Sequence, residues 1–261
     1  MRVGSLFSGV GLGDLGLTLA GMEIVFQVEI EPYARKVLDL RWPDVPKFGD
    51  IREVKGSDTP PCDLLAGGFP CQDISTAGKG AGIEGERSGL WKEFARLICE
   101  IRPRYVLVEN VTALLGRGLG VVLGDLAEIG YDAEWDCIPA SAVGAPHRRD
   151  RVWIVAYPKS TGTRENKQRL RSVSNGHCEG LQISYPASKR LSYRAEETVF
   201  RPSPNKKPER SNWWSTEPNM GRVAHGVSSR VDRLKGLGNG QVVQVVRYVG
   251  ERILAFDKGM R

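Results

Sequence analysis

The chain has 261 residues, which is long enough for one large domain or for a domain with a small insert. It has no run of about 18 apolar residues, so we expect no membrane span, and its first residues resemble a strand rather than a signal peptide. Five cysteines without CxxC spacing and only three histidines argue against a disulfide framework and against a metal site, and they favour a reducing, cytoplasmic location.

The net charge of +6 is concentrated in one segment. Residues 158–212 contain twelve Lys/Arg and five Asp/Glu, a net charge of +7, which leaves 25 basic and 26 acidic residues, a net charge of −1, elsewhere. Such a segment is typical of proteins that bind a phosphate backbone. Because it is also rich in Ser, Pro and Asn, a solvated linker is the alternative.

Strand-like and helix-like segments alternate over residues 1–156. Strands are predicted at residues 2–7, 23–29, 47–51, 62–66, 105–108, 133–138 and 151–156. Helices are predicted from the turn at 8–13 to about residue 20, and at 31–41, 90–101 and 119–129. Repeated β-α alternation predicts an α/β fold with a doubly wound, mostly parallel sheet.

This alternation stops at Tyr157 and Pro158. The segment up to residue 212 is polar and aperiodic, and we interpret it as a small separate domain or insert. Regular patterning returns at 230–237, followed by Gly238-Asn239-Gly240 and a helix predicted at about 242–256.

A glycine-rich turn at residues 8–13 follows the first strand. Glu29 ends the second strand about 20 residues later, where an acid would hold a ribose hydroxyl, and Asp50 ends the third. Asp14 stands where a dinucleotide fingerprint has its third glycine, which favours a mononucleoside-like cofactor over a nicotinamide one. A plain tight turn is the alternative.

Cys71 follows the fourth predicted strand within Pro70-Cys71-Gln72. The carboxyl end of such a strand is where open α/β sheets place their chemistry, so the thiol is a candidate nucleophile. A free cysteine that acts only as a small buried hydrophobe is the alternative.

Two further groups of polar residues flank apolar strands. Glu109 follows the strand at 105–108, where burial would raise its pKa, although it and Asn110 would also suit a helix cap. Arg149 and Arg151 alternate by two, so in an extended segment both would face a phosphate or carbonyl oxygen. A surface salt-bridge cluster is the alternative for the arginines.

Together these motifs resemble the cytosine-C5 methyltransferases that use S-adenosylmethionine, and they occur in the order of that family. The motifs are Phe7-Ser8-Gly9-Val10-Gly11, Glu29, Gly49-Asp50-Ile51, Gly68-Phe69-Pro70-Cys71-Gln72, Glu109-Asn110-Val111, Arg149-x-Arg151 and Leu237-Gly238-Asn239-Gly240. The chain departs from the family in three ways: His147 replaces a usual glutamine, Gln241 replaces a small or apolar residue, and the recognition segment is short.

The resemblance implies a Rossmann-like catalytic domain at 1–157, a target-recognition insert at 158–212 and a C-terminal segment, 213–261, that completes the catalytic domain. Cys71 would add to cytosine C6, Glu109 would contact the N3/N4 edge, and Arg149 and Arg151 would bind near the pyrimidine and its phosphates. The implied S-adenosylmethionine site comprises Phe7, Gly9, Gly11, Leu12, Glu29, Ile30, Asp50, Ile51, Pro70 and Asn239.

The resemblance also implies a monomer that methylates double-stranded DNA on a flipped base, with a restriction nuclease as a potential companion. Two alternatives stay open. Some relatives with the same motifs act on transfer RNA, and a non-catalytic nucleic-acid-binding derivative would keep the fold without the reaction.

Overall fold

The computed structural model describes residues 1–70, 89–159 and 229–259. In these ranges the strands are β1 (Arg2–Leu6), β2 (Glu23–Val28), β3 (Lys47–Phe48), β4 (Leu64–Gly67), β5 (Tyr105–Val111), β6 (Tyr131–Ile138) and β7 (Arg151–Pro158). The helices are α1 (Leu12–Leu19), α2 (Pro32–Arg41), α3 (Leu90–Ile101), α4 (Leu114–Arg117), α5 (Leu119–Ile129), α6 (Arg230–Asn239) and α7 (Val243–Gly259). Cys71 and residues 160–212 of the predicted insert lie outside the described residues.

The described strands form one sheet in the order β3-β2-β1-β4-β5-β7-β6. Pairing is parallel from β3 to β5, and β7 is antiparallel to both of its neighbours. The predicted α/β fold with a mostly parallel, doubly wound sheet is therefore confirmed. Because β7 is reversed, its first residue lies at the edge where the parallel strands end.

Helices cover both faces of the sheet, which explains why the central strands are apolar on both sides. One face packs on α3 and α5 through the buried residues Trp91, Phe94, Leu97, Ile98, Val122 and Leu126. The other packs on α1 and α7 through Leu17, Val245, Val246, Val249 and Ile253. The C-terminal helix α7 is thus part of the same core as β1 and β4.

Some element bounds differ from those predicted. Strand β5 continues to Val111, and Glu109 pairs with Trp153 of β7, so Glu109 lies inside the strand rather than after it. Strand β3 has only two residues, and α6 continues past the regular segment predicted at 230–237 to Asn239. For β5 the pairing of residues 109–111 with β7 decides where the strand ends, which the local sequence does not specify.

None of the helices in the described ranges is long and apolar enough to cross a membrane.

Candidate active site

A cavity of about 710 Å³ opens at the edge where β1, β2, β4 and β5 end and β7 begins. Twelve of the predicted site residues line it: Phe7, Gly9, Leu12, Glu29, Ile30, Asp50, Ile51, Pro70, Glu109, Arg149, Arg151 and Asn239. Gly11 is not on its wall, and Cys71 lies outside the described residues. The fold thus brings together residues from both ends of the chain.

The glycine turn and Glu29 are joined by hydrogen bonds. The Gly9 N–H donates to Glu29 Oε2 at 2.7 Å, and the Glu31 N–H donates to Oε1 at 2.7 Å. Gly9 has a φ of +55° and open space where a Cβ would stand, so a ligand can approach its backbone closely. Gly11 has a φ of +80° and packs on Trp42 and Leu38. It therefore contributes to the shape of the turn and not to the cavity wall.

The glycine turn at residues 8–13 is supported by a buried carboxylate, that of Asp14 in α1. Asp14 accepts hydrogen bonds from Ser5 Oγ and Gln27 Nε2, each at 2.5 Å. Burial raises the pKa of Asp14 to about 6, against the opposing effect of these two donors. In the sequence Asp14 is marked only as the residue that stands in place of a third glycine, which does not predict this supporting role.

Asp50 caps the short 3-10 turn Ile51–Glu53 at the cavity wall. Its Oδ1 accepts from the Arg52 backbone N–H at 3.0 Å. Its carboxylate also pairs with the Arg52 side chain, and this hydrogen bond holds the pKa of Asp50 below its usual value. Asp50 is therefore an ionised acceptor beside the buried, apolar Ile51.

Glu109 is held on both carboxylate oxygens. Arg151 Nε lies 3.0 Å from Oε1, and Gln241 Nε2 donates to Oε2 at 3.3 Å. The Glu109 side chain is only 12% exposed, and this burial raises its pKa although Arg151 acts in the opposite direction. The contact with Arg151 follows from register, because Arg151 pairs with Val111 and is the diagonal neighbour of Glu109.

Arg149 does not lie in an extended segment as predicted. Its φ is +39°, and its Nη2 donates to the carbonyl oxygens of Gly238 and Gly240 at 2.8 and 2.7 Å. The premise of strict alternation with Arg151 is therefore wrong, although both side chains line the cavity. Arg149 holds the segment between α6 and α7 against the sheet edge.

Asn110 anchors the segment that leads to Cys71. It is 3% exposed, and its Nδ2 donates to the Phe69 carbonyl oxygen at 3.2 Å. Its Oδ1 accepts from the Val111 N–H at 2.8 Å, which fixes the orientation of the carboxamide. An amide after an apolar run was the only sequence signal for this role.

The doubly wound sheet, with a glycine turn and acids at the strand ends on one cavity, defines the class of Rossmann-like folds that bind a nucleotide-like cofactor. A solved structure, a triple mutant of Spodoptera frugiperda DNMT2, has this fold with a TM-score of 0.52 and 21% identity, covering 62% of this chain and 51% of that one. The model of the C-5 cytosine-specific DNA methylase family matches residues 1–222, and the chain belongs to that family.

Curated relatives are type II methyltransferases. M2.BsuMI of Bacillus subtilis (strain 168) is 40% identical over 164 residues, which are 60% of this chain and 42% of that protein. M.NgoBI of Neisseria gonorrhoeae is 38% identical over 156 residues, 58% of this chain and 49% of that protein. The chain matches less than half the length of these relatives.

Proposed function

We propose that this chain transfers a methyl group from S-adenosylmethionine to C5 of cytosine in DNA. The observation that carries the proposal is the Glu109–Arg151 pair, which shares one cavity with the Glu29-bound glycine turn. The family description and the type II relatives support the same reaction. The division into 1–157, 158–212 and 213–261, the monomeric state and the cytoplasmic location remain predictions.

The described residues fit an adenosine-containing cofactor. The carboxylate oxygens of Glu29 each accept one backbone N–H and keep further lone pairs for ribose hydroxyls. Ionised Asp50 can accept from an exocyclic amine, and Phe7 and Ile51 supply apolar wall on the same cavity. When bound, S-adenosylmethionine supplies an electron-poor methyl group.

Cytosine C5 is a poor nucleophile, so the chain has to activate the ring. In the proposed reaction the Cys71 thiolate adds to C6, and the electron pair of the C5–C6 bond becomes available at C5. After methylation, loss of the C5 proton and of the thiolate restores the ring and frees Cys71.

Glu109 and Arg151 would stabilise this addition. A carboxyl group with a raised pKa can donate to N3 and accept from the N4 amine of cytosine. The Arg151 guanidinium holds Glu109 in place and is the proposed partner of the O2 carbonyl. Asn110 fixes the approach of the segment that carries Cys71.

Double-stranded DNA is the proposed substrate because the only strongly basic part of the chain is the segment at 158–212. C5 is inaccessible within a duplex, so the target base would be flipped into the cavity. A companion restriction nuclease is proposed only from the type II relatives.

An assay with labelled methyl donor on duplex DNA and on transfer RNA tests the proposal. We expect label on cytosine of the duplex. Label on transfer RNA alone would replace DNA with RNA as the substrate, and label on neither would support a non-catalytic derivative.

A further inference from the structure

Gln241 reaches from the C-terminal segment into the middle of the candidate site. It lies between α6 and α7, and its partly buried side chain lines the cavity. The carboxamide lies close to the backbone of Gly13 and of Gly68. A Cβ built on Gly13 would clash with the carboxamide Oε1, and a Cβ built on Gly68 would lie 3.3 Å from Nε2. Two glycines from distant parts of the chain thus leave the space that this side chain fills.

Its polar end contacts the buried acid. Gln241 Nε2 donates to Glu109 Oε2 at 3.3 Å, whereas Arg151 Nε binds the other oxygen at 3.0 Å. The Glu109 carboxylate is therefore held from one side by β7 and from the other by the C-terminal segment. Arg149, which binds the carbonyl oxygens of Gly238 and Gly240, holds that segment in place.

We propose that Gln241 is a positioning residue that fixes the Glu109 carboxylate through Oε2 and thereby links the C-terminal segment to the base-binding part of the site. This inference rests on the proposed function for its effect on methyl transfer, but the contact itself can be measured without activity.

A carboxamide is suited to this role because it carries both donors and an acceptor. In the structure its Nε2 donates to Glu109 Oε2, and such a bond is stronger when the carboxyl group is ionised. A small or apolar side chain at this position cannot make this bond. The contact therefore favours the ionised form of Glu109.

The test compares Gln241→Met, which keeps the length and removes the hydrogen bond, with Gln241→Asn, which keeps the carboxamide and shortens its reach. The titration of the Glu109 carboxyl carbon is followed by ¹³C NMR and assigned by its loss in Glu109→Gln. Because the hydrogen bond favours the ionised carboxylate, both variants should raise the midpoint above that of the wild type. Arg151 and Arg149, the charged groups that act on Glu109, stay unchanged.

Gln244→Met is the matched control, since Gln244 is also partly buried near the start of α7 but does not line the cavity. It should leave the titration unchanged. In methyl transfer we expect Gln241→Met to lower kcat about tenfold, equal to about 1.4 kcal/mol, with a smaller change in the KM for S-adenosylmethionine.

An unmoved Glu109 midpoint in folded Gln241→Met and Gln241→Asn would overturn the inference, whatever the activity. If the wild-type chain showed no methyl transfer, the proposed function would be overturned instead. The titration would still decide whether Gln241 acts on Glu109.

Discussion

The acidic side chains near the sheet edge have pKa values that are shifted in opposite directions. Burial raises the pKa of Asp14 to about 6 and also raises that of Glu109, whereas Arg52 lowers the pKa of Asp50. The sequence predicted a buried acid at Glu109 from the apolar run before it. The environment of Asp14 could not be predicted, because Ser5 and Gln27 approach it from two other elements.

At the residue scale we predict that Asp14 makes folding less favourable as pH rises. Its pKa is higher in the folded chain than in the unfolded chain, so the folded state binds more protons between pH 4 and 6. The free energy of unfolding should therefore fall through this range and remain lower above it, by roughly 3 kcal/mol from this group. Urea unfolding between pH 4 and 7 measures the slope.

Asp14→Asn should flatten that slope and raise stability at pH 7. The asparagine amide could donate to a reoriented Gln27, whose Oε1 is buried and has no hydrogen-bond partner among the described residues. Asp44→Asn, at an exposed position after α2, is the control and should leave the slope nearly unchanged. An unchanged slope in Asp14→Asn would show that burial does not perturb Asp14 as described.

Among the elements, the parallel part of the sheet follows from the alternation of apolar strands with amphipathic helices. The reversal of β7 does not, because strand direction depends on pairing with β5 and β6 rather than on local pattern. That reversal places Arg151 beside Glu109. The order of the motifs therefore predicted Glu109 and Arg151 as a catalytic pair. Their contact could not be predicted, because it depends on the register between β5 and β7.

At the element scale, Gly16 should control the packing of α1 on α7. A Cβ at Gly16 would lie 2.5 Å from Val246 Cβ and 2.7 Å from the Val243 carbonyl oxygen. Gly16→Ala should therefore destabilise the fold by about 1–3 kcal/mol through overpacking. Thermal unfolding at a fixed pH measures the loss.

Gly124→Ala is the matched control for this substitution. Gly124 lies within α5, and nothing stands within 4 Å of its Cβ position. Alanine should stabilise that helix by about 0.5–1 kcal/mol because glycine is the poorer helix former. If both substitutions were stabilising, α1 and α7 could not be packed as closely as described.

In the whole molecule, the excess of basic residues and the candidate active site are predicted to lie in different parts of the chain. The cavity is built from residues 5–70, 90–151 and 232–246, whereas the basic excess falls at 158–212, of which residues 160–212 lie outside the described residues. This separation could be predicted from the sequence, because the net charges of residues 158–212 (+7) and of the remaining residues (−1) are obtained by counting. Which bases the segment contacts depends on its fold and cannot be predicted from composition.

At this scale, DNA binding should weaken steeply with salt, because each neutralised phosphate releases condensed counterions. Exchange of residues 158–212 for the corresponding segment of a relative with another target should move methylation to that relative's site. Binding titrations at several salt concentrations and sequencing of the methylated DNA measure both effects. An active chimera that still methylated the original site would place recognition elsewhere.

The most direct test of the account is covalent trapping at Cys71. Duplex DNA that carries 5-fluorocytosine cannot lose the C5 substituent as a proton, so the adduct at C6 should persist once the methyl group is transferred. Mass spectrometry of the tryptic peptide at residues 56–79 should locate the DNA on Cys71 rather than on Cys62, which lies in the same peptide. Cys62→Ser should still form the adduct and Cys71→Ala should not. Methylation of cytosine C5 by Cys71→Ala, or an adduct on another cysteine, would contradict the account.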